Sequence, residues 1–107
     1  MKLAEKPIII TLDLHNCKYA YDIHQKIREA FDFPDWYGCN WSAFWDLLRE
    51  PREYTVVEVR GLYSLSKELY EYSKKIVELL EKNKKYFEMI MEIQDKWDRR
   101  FDYKVID

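Results

Sequence analysis

The residues best suited to chemistry lie in one short stretch, FPDWYGCNWSAFWDLL, at positions 33–48. It combines the Asp46 carboxylate with indole rings at Trp36 and Trp45 and a phenol at Tyr37. Loop aromatics expose apolar surface to water unless they pack or bind, so these rings are typical of a binding surface. A carboxylate framed by aromatic rings is the inverse of an RNA-binding cleft, which offers cations for phosphate and aromatic faces for bases. Such a carboxylate can occupy a phosphate subsite without being cleaved.

The second half of this stretch is predicted to be a helix from Trp41 to about Arg49, which Asn40 caps and Pro51 ends. Its aromatic and aliphatic residues cannot all face inward, because an apolar stripe covers only part of a helix. We expect Trp41 to lie in the core and Trp45 to lie near its rim. The opposite, polar face has the spacing i, i+4 and i+7 and consists of Ser42, Asp46 and Arg49.

Other interpretations of these residues stay open. Asp46 can be an ordinary solvated carboxylate paired with Arg49, which contributes about a few tenths of a kcal/mol. Asp35 and Asp46 can instead be paired catalytic carboxylates of a hydrolase, although no nucleophile motif or phosphate loop accompanies them. We expect the lone His24 to be structural, since too few cysteine and histidine residues cluster to bind zinc.

The elements that position this stretch follow from periodicity. Residues 8–12 are a short β-branched run and are predicted to form a buried strand. Apolar residues then recur at helical spacing from Ile23 to Phe31, and this helix should end by Phe33, before Pro34. In the loop that follows, we expect Gly38 to supply a backbone conformation closed to other residues.

The rest of the chain predicts further strands and helices. Residues 54–60 indicate a strand, and residues 64–82 indicate one long helix or two shorter ones. Residues 86–93 alternate in polarity and are predicted to be a strand that buries Phe87, Met89, Met91 and Ile93. Residues 101–106 are predicted to be a fourth, edge strand, joined to it through residues 95–100. Because helices connect the strands, we expect a single α/β domain over residues 1–107. Its small three-stranded parallel sheet would be flanked by helices in two or three layers.

Composition narrows the class of protein. The net charge of −2 lacks the basic surplus that is typical of nucleic-acid binders, so we expect a protein partner. We expect no membrane association and a cytoplasmic location, because no apolar run approaches the roughly 20 residues that span a bilayer and no signal peptide is evident. Cys17 and Cys39 fit free thiols, with one disulfide left open. No motif predicts a cofactor or a metal.

The stretch from Asp22 to Leu48 resembles the barstar family. The shared pattern is a helix that carries a histidine, followed by P-x-x-Y-G-x-N-x-x-x-x-W/Y-D and an apolar pair. The matching residues here are His24, Pro34, Tyr37, Gly38, Asn40, Trp45, Asp46, Leu47 and Leu48. The resemblance implies agreement in element order through about Ile93, with about the last 14 residues lying beyond the family's usual end.

The resemblance implies a small parallel sheet with helices and a non-catalytic, immunity-type inhibitor that blocks a ribonuclease or related toxin inside its producer. It implies that the segment 34–49 plugs the enzyme's active site. Asp46 matches the family's central acidic residue, which binds the enzyme's phosphate site. The predicted partner-binding residues are Trp36, Tyr37, Gly38, Asn40, Trp41, Ser42, Trp45, Asp46 and Arg49.

Departures from the family pattern leave the partner open. Many relatives are acidic at the position of Ser42, and Arg49 adds a cation. A further acidic contact on the last long helix matches either Glu81 or Lys82. These differences favour a less basic ribonuclease or another toxin. An adapter that binds a protein other than a nuclease is the alternative function.

Overall fold

A computed structural model describes residues 6–94 and 100–107, apart from the side chains of residues 92–94. Its strands and helices are β1 (Ile8–Asp13), α1 (Ala20–Phe31), α2 (Trp41–Leu48), β2 (Thr55–Arg60), α3 (Lys67–Gln94) and β3 (Phe101–Val105). A short 3-10 helix, Leu62–Ser64, lies between β2 and α3. The order of strands and helices confirms the predicted α/β class.

The three strands form one parallel sheet in the order β1-β2-β3. In register, Ile10 of β1 lies opposite Val57 of β2, which in turn lies opposite Tyr103 of β3. Parallel neighbours need a crossover connection, and α1 with α2 supplies the first while α3 supplies the second. The predicted small three-stranded parallel sheet flanked by helices is therefore confirmed.

The strand predicted over residues 86–93 is wrong, because these residues form the last turns of α3. The alternating pattern placed Phe87 and Met89 on one buried side. The structure buries Phe87 at 2% exposure but leaves Met89 50% exposed. Phe87 and Ile90 also lie three residues apart, which is helical spacing, and no proline or glycine separates them from the preceding helix. The long unbroken helix therefore overrides a coincidental period of two.

The third strand is instead β3, the segment predicted as a fourth strand. It pairs only with β2 among the described residues and so lies at an edge, as predicted. Its backbone joins β2 at both ends, since the Thr55 amide donates to the Arg100 carbonyl and the Ile106 amide donates to the Val59 carbonyl. The predicted connection over residues 95–100 lies outside the described residues except for Arg100.

The core lies between one face of the sheet and the helices. Leu12, Val57 and Phe101 bring one buried residue from each strand to this face. Thr11 and Lys104, on the other face of the sheet, are exposed. Alternate residues of a strand point to opposite faces, so the described part of the chain has two layers, one of sheet and one of helices. This places α1, α2 and the loop between them on the same side of the molecule.

Gly61 is the residue whose backbone most restricts substitution. It follows β2 with a φ of 79°, and a Cβ there would lie 2.6 Å from the backbone nitrogen of His15. We expect Gly61→Ala to lower the free energy of unfolding by about 1–3 kcal/mol, because it adds left-handed strain to a backbone clash. Urea denaturation measures this loss. Gly38→Ala is the control and should cost less, since its Cβ would meet Ala43 at 3.3 Å without a positive φ.

Candidate functional site

The loop between α1 and α2 is shaped by its own backbone. Asp32 ends α1 in the left-handed region, with φ 55°, and Cys39 takes the same conformation, with φ 52°. The expectation that Gly38 supplies this conformation is wrong, since the positive φ lies one residue later. The side chain of Asn40 donates to the carbonyl of Gly38 at 3.2 Å, which closes the turn. The loop thus enters α2 at a fixed angle.

Asn40 caps α2 as predicted. Its side-chain oxygen accepts a hydrogen bond from the amide of Ala43 at 2.8 Å. The helix then buries Phe44 and Leu48 completely, which fixes its rotation about its own axis. Its polar face is exposed to solvent and carries Ser42, Asp46 and Arg49. The predicted polar face is therefore present, and it lies on the outside of the molecule.

The Asp46 carboxylate and one indole are both exposed on this surface. The side chain of Asp46 is 69% exposed, and Trp36 in the loop is 74% exposed. A guanidinium nitrogen of Arg49 lies 3.2 Å from an oxygen of Asp46, as expected for residues three apart on a helix. Both groups remain accessible to a partner. We call the exposed surface of the segment 34–49 the docking face.

Trp45 lies between the core and the docking face, half-buried as predicted for a rim residue. Two cations lie near its ring: the Lys82 ammonium is 4.6 Å from the ring centroid and the Arg49 guanidinium carbon is 5.2 Å from it. Both distances fall within the range of cation–π attraction. Lys82 comes from α3, so this contact ties α3 to the docking face.

Glu81 turns away from Trp45. Its carboxylate accepts a hydrogen bond from the Tyr103 hydroxyl at 2.8 Å on β3, and Lys85 pairs with it at 3.6 Å. Burial, together with the hydrogen bond to the Glu81 carboxylate, raises the pKa of Tyr103 to about 12. Of Glu81 and Lys82, the pair that the sequence left open, only Lys82 contacts the Trp45 ring. The residue of α3 beside Trp45 is the cation.

Beneath the docking face lies a buried polar cluster. His24 of α1 places its two ring nitrogens 2.8 Å from the Tyr37 hydroxyl and 2.7 Å from the Tyr72 hydroxyl. Trp41 covers the imidazole with ring centroids 4.6 Å apart. A neutral imidazole has one donor and one acceptor nitrogen, so it can donate to one tyrosine and accept from the other. The cluster joins the loop and the start of α2 to α1 and α3.

Tyr37 is part of this cluster and not of the exposed surface. It is only 5% exposed, so its ring is not available to a partner in this structure, in contrast to the role predicted for it. The reason is its hydrogen bond to His24, a partner thirteen residues away that local sequence does not reveal. Trp41 is half-buried and packs on the same histidine. Tyr37 and Trp41 therefore support the docking face from below.

A family model described as Barstar (barnase inhibitor) matches residues 8–106. The chain belongs to the barstar family. A search of curated proteins finds no match. The match runs through β3, so the expectation that about the last 14 residues lie beyond the family's usual end is wrong. That expectation followed from placing the third strand at residues 86–93, one element too early.

In this barstar-family chain, the surroundings of the two candidate catalytic carboxylates resemble each other. Asp35 pairs with Arg28 at 3.2 Å, and Asp46 pairs with Arg49 at the same distance. Each carboxylate is thus bound to its own arginine in an exposed position. Within residues 6–94 and 100–107, no group of three or more acidic, histidine or cysteine residues is arranged to hold a metal ion. No helix of that part is both long and apolar enough to cross a membrane.

His24 makes the stability of this barstar-family fold depend on pH. Burial lowers the pKa of His24 below its ordinary value of 6.5, because a charged imidazole would lose its solvation. The contribution of neutral His24 is fully present above that value. It is lost as the pH falls toward the lowered pKa of the folded state, since the unfolded chain then binds the proton more readily.

We therefore expect the free energy of unfolding to fall as the pH drops below about 6.5. Urea denaturation at several pH values measures this change. His24→Gln should remove the fall that is due to His24, whereas His15→Gln, which lacks the other histidine of the chain, should retain it. A pH profile unchanged by His24→Gln would show that the buried imidazole is not the titrating group.

Proposed function

We propose that this protein is an intracellular, immunity-type inhibitor of a ribonuclease and that the docking face occludes the enzyme's active site. Its membership of a family described as barnase inhibitors supports this class of function. The observation that carries the proposal is the exposed Asp46 carboxylate on α2, in the same segment as the exposed indole of Trp36. The protein itself performs no catalysis in this proposal.

The chemistry of the target explains why this pair of groups is effective. A ribonuclease must bind a phosphodiester with cationic side chains and hold bases against aromatic or apolar surfaces. Asp46 can accept charge-assisted hydrogen bonds in the phosphate subsite, and Trp36 can cover a base subsite. Neither group offers a phosphodiester bond to cleave. The enzyme's active site would therefore be occupied by groups that it cannot cleave.

The docking face is also supported by contacts that exist before binding. Asn40 caps α2, Phe44 and Leu48 anchor it in the core, and the cluster around His24 supports the loop from below. Ordering an immobilised side chain at an interface costs about 0.5–1.5 kcal/mol, and a flexible loop costs more. A preformed face avoids most of that cost. This is the property that a plug for an enzyme cleft requires.

Steady-state inhibition of barnase with a fluorescent RNA substrate tests the proposal. We expect inhibition that is competitive with RNA, because the inhibitor and the substrate would share one cleft. Trp36→Ala should weaken inhibition by about tenfold or more, as for an aromatic residue central to an interface. The control Thr11→Ala, on the open face of the sheet, should leave inhibition unchanged. Inhibition that is non-competitive with RNA, or unaffected by Trp36→Ala, would contradict occlusion by this face.

A further inference from the structure

We propose that Arg49 and Lys82 determine which ribonuclease the docking face accepts, and that the cognate enzyme has an acidic side chain opposite them at the rim of its cleft. This inference rests on the proposed function and adds the charge of the partner's surface. Its basis is the arrangement of charges around Trp45.

The first observation is that the docking face is not an acidic surface. Its two carboxylates, Asp35 and Asp46, each lie 3.2 Å from an arginine of the same chain. The remaining polar position on α2 is Ser42, which is uncharged. A cleft that presents only cations would gain from Asp46, but it would also bring its own charges toward Arg49.

The second observation is that α3 places a cation, and not a carboxylate, beside this face. The Lys82 ammonium lies 4.6 Å from the Trp45 ring centroid, and the Arg49 guanidinium carbon lies 5.2 Å from the same centroid. Glu81, one residue earlier, is engaged by Tyr103 and Lys85 on another side of α3. Trp45 thus holds two positive charges at the edge of the docking face.

The physical consequence appears on binding. Docking brings the charges of the two surfaces close together, and like charges placed opposite each other are unfavourable. Arg49 and Lys82 would oppose a cleft lined only by lysine and arginine. A carboxylate on the partner would instead pair with both cations while Asp46 occupies the phosphate site. The same face thus combines attraction for one class of cleft with repulsion of another.

Barnase variants provide a defined probe for this inference. Each lysine or arginine that lines the RNA cleft of barnase is replaced in turn by glutamate, and equilibrium binding to the full-length chain is measured by titration calorimetry. We expect at least one charge-reversed barnase to bind about tenfold more tightly than unmodified barnase, because it would present a carboxylate to Arg49 and Lys82. This gain should disappear in the double variant Arg49→Ala/Lys82→Ala.

The same double variant should bind unmodified barnase about tenfold more tightly than the parent chain does, because the repulsion is removed. No gain with any charge-reversed barnase, a gain that survives loss of both cations, or equal or weaker binding of unmodified barnase by the double variant would overturn the inference. Inhibition by the Asp46→Asn variant distinguishes failure of this inference from failure of the proposed function. Inhibition that depends on Asp46 but not on the two cations would support the inhibitor function. It would contradict only the proposed role of Arg49 and Lys82.

Discussion

Asp46→Asn is expected to weaken binding of the inhibited ribonuclease by about 100-fold, or about 3 kcal/mol. The substitution keeps the size of the side chain and removes its charge, so the enzyme's cationic phosphate site would be left buried without a counter-charge. Leaving a buried charge unpaired accounts for most of such a loss. The effect should appear mainly as faster dissociation, since most substitutions within an interface change the dissociation rate more than the association rate.

Surface plasmon resonance with immobilised ribonuclease measures both rates. Asp35→Asn is the matched control, because Asp35 is also an exposed carboxylate paired with an arginine at 3.2 Å. It lies in the loop and not on the polar face of α2, so its loss should cost less than about tenfold, as for a charge at the rim. Equal losses for the two variants would mean that overall negative charge matters, and not the position of Asp46.

Phe44→Ala is expected to give the largest loss of stability, about 3–5 kcal/mol. Phe44 is completely buried, and its ring lies 5.7 Å from that of Phe31, 6.3 Å from that of Phe33 and 6.2 Å from that of Trp41 between centroids. Removing it opens a cavity where α1, the loop and α2 meet. Since small domains are stable by only about 5–15 kcal/mol, a large share of the total would be lost.

Urea denaturation followed by far-UV circular dichroism measures the free energy of unfolding of this variant. Phe44→Leu is the matched control and should lose less, because leucine refills part of the cavity. We expect the fraction of Phe44→Ala that remains folded to dissociate faster from the ribonuclease, since α2 is anchored by this ring. A loss below about 1 kcal/mol would contradict the packing described for α2.

The structure of the segment 34–49 was largely predictable, because it depends on residues that are close in sequence. Asn40 at the start of α2 and Pro51 beyond its end bound the helix within a few residues. The exposure of Asp46 followed from its spacing to Ser42 and Arg49, since residues three and four apart share a helix face. These inferences need only the geometry of one helix. They therefore did not depend on knowledge of the remainder of the fold.

Features that depend on distant residues were not predictable. Tyr37 was assigned to the surface because the sequence does not show that His24 and Tyr72 meet beneath the loop. Which of Glu81 and Lys82 lies beside Trp45 depends on the rotation of α3, because adjacent helical residues point about 100° apart. That rotation is set by packing along the whole helix. The last turns of α3 also fit a period of two, so residues 86–93 were predicted as the third strand and β3 as a fourth.

The most direct test of the account is amide hydrogen exchange of the isotope-labelled chain, free and bound to the ribonuclease that it inhibits. We predict that new protection concentrates on residues 36–42 of the loop and the start of α2, because the enzyme would cover this part of the docking face. Exposed residues on the open face of the sheet, such as Thr11 and Lys104, should exchange at unchanged rates. New protection on that open face, with the amides of residues 36–42 unaffected, would contradict the claim that this segment fills the active site.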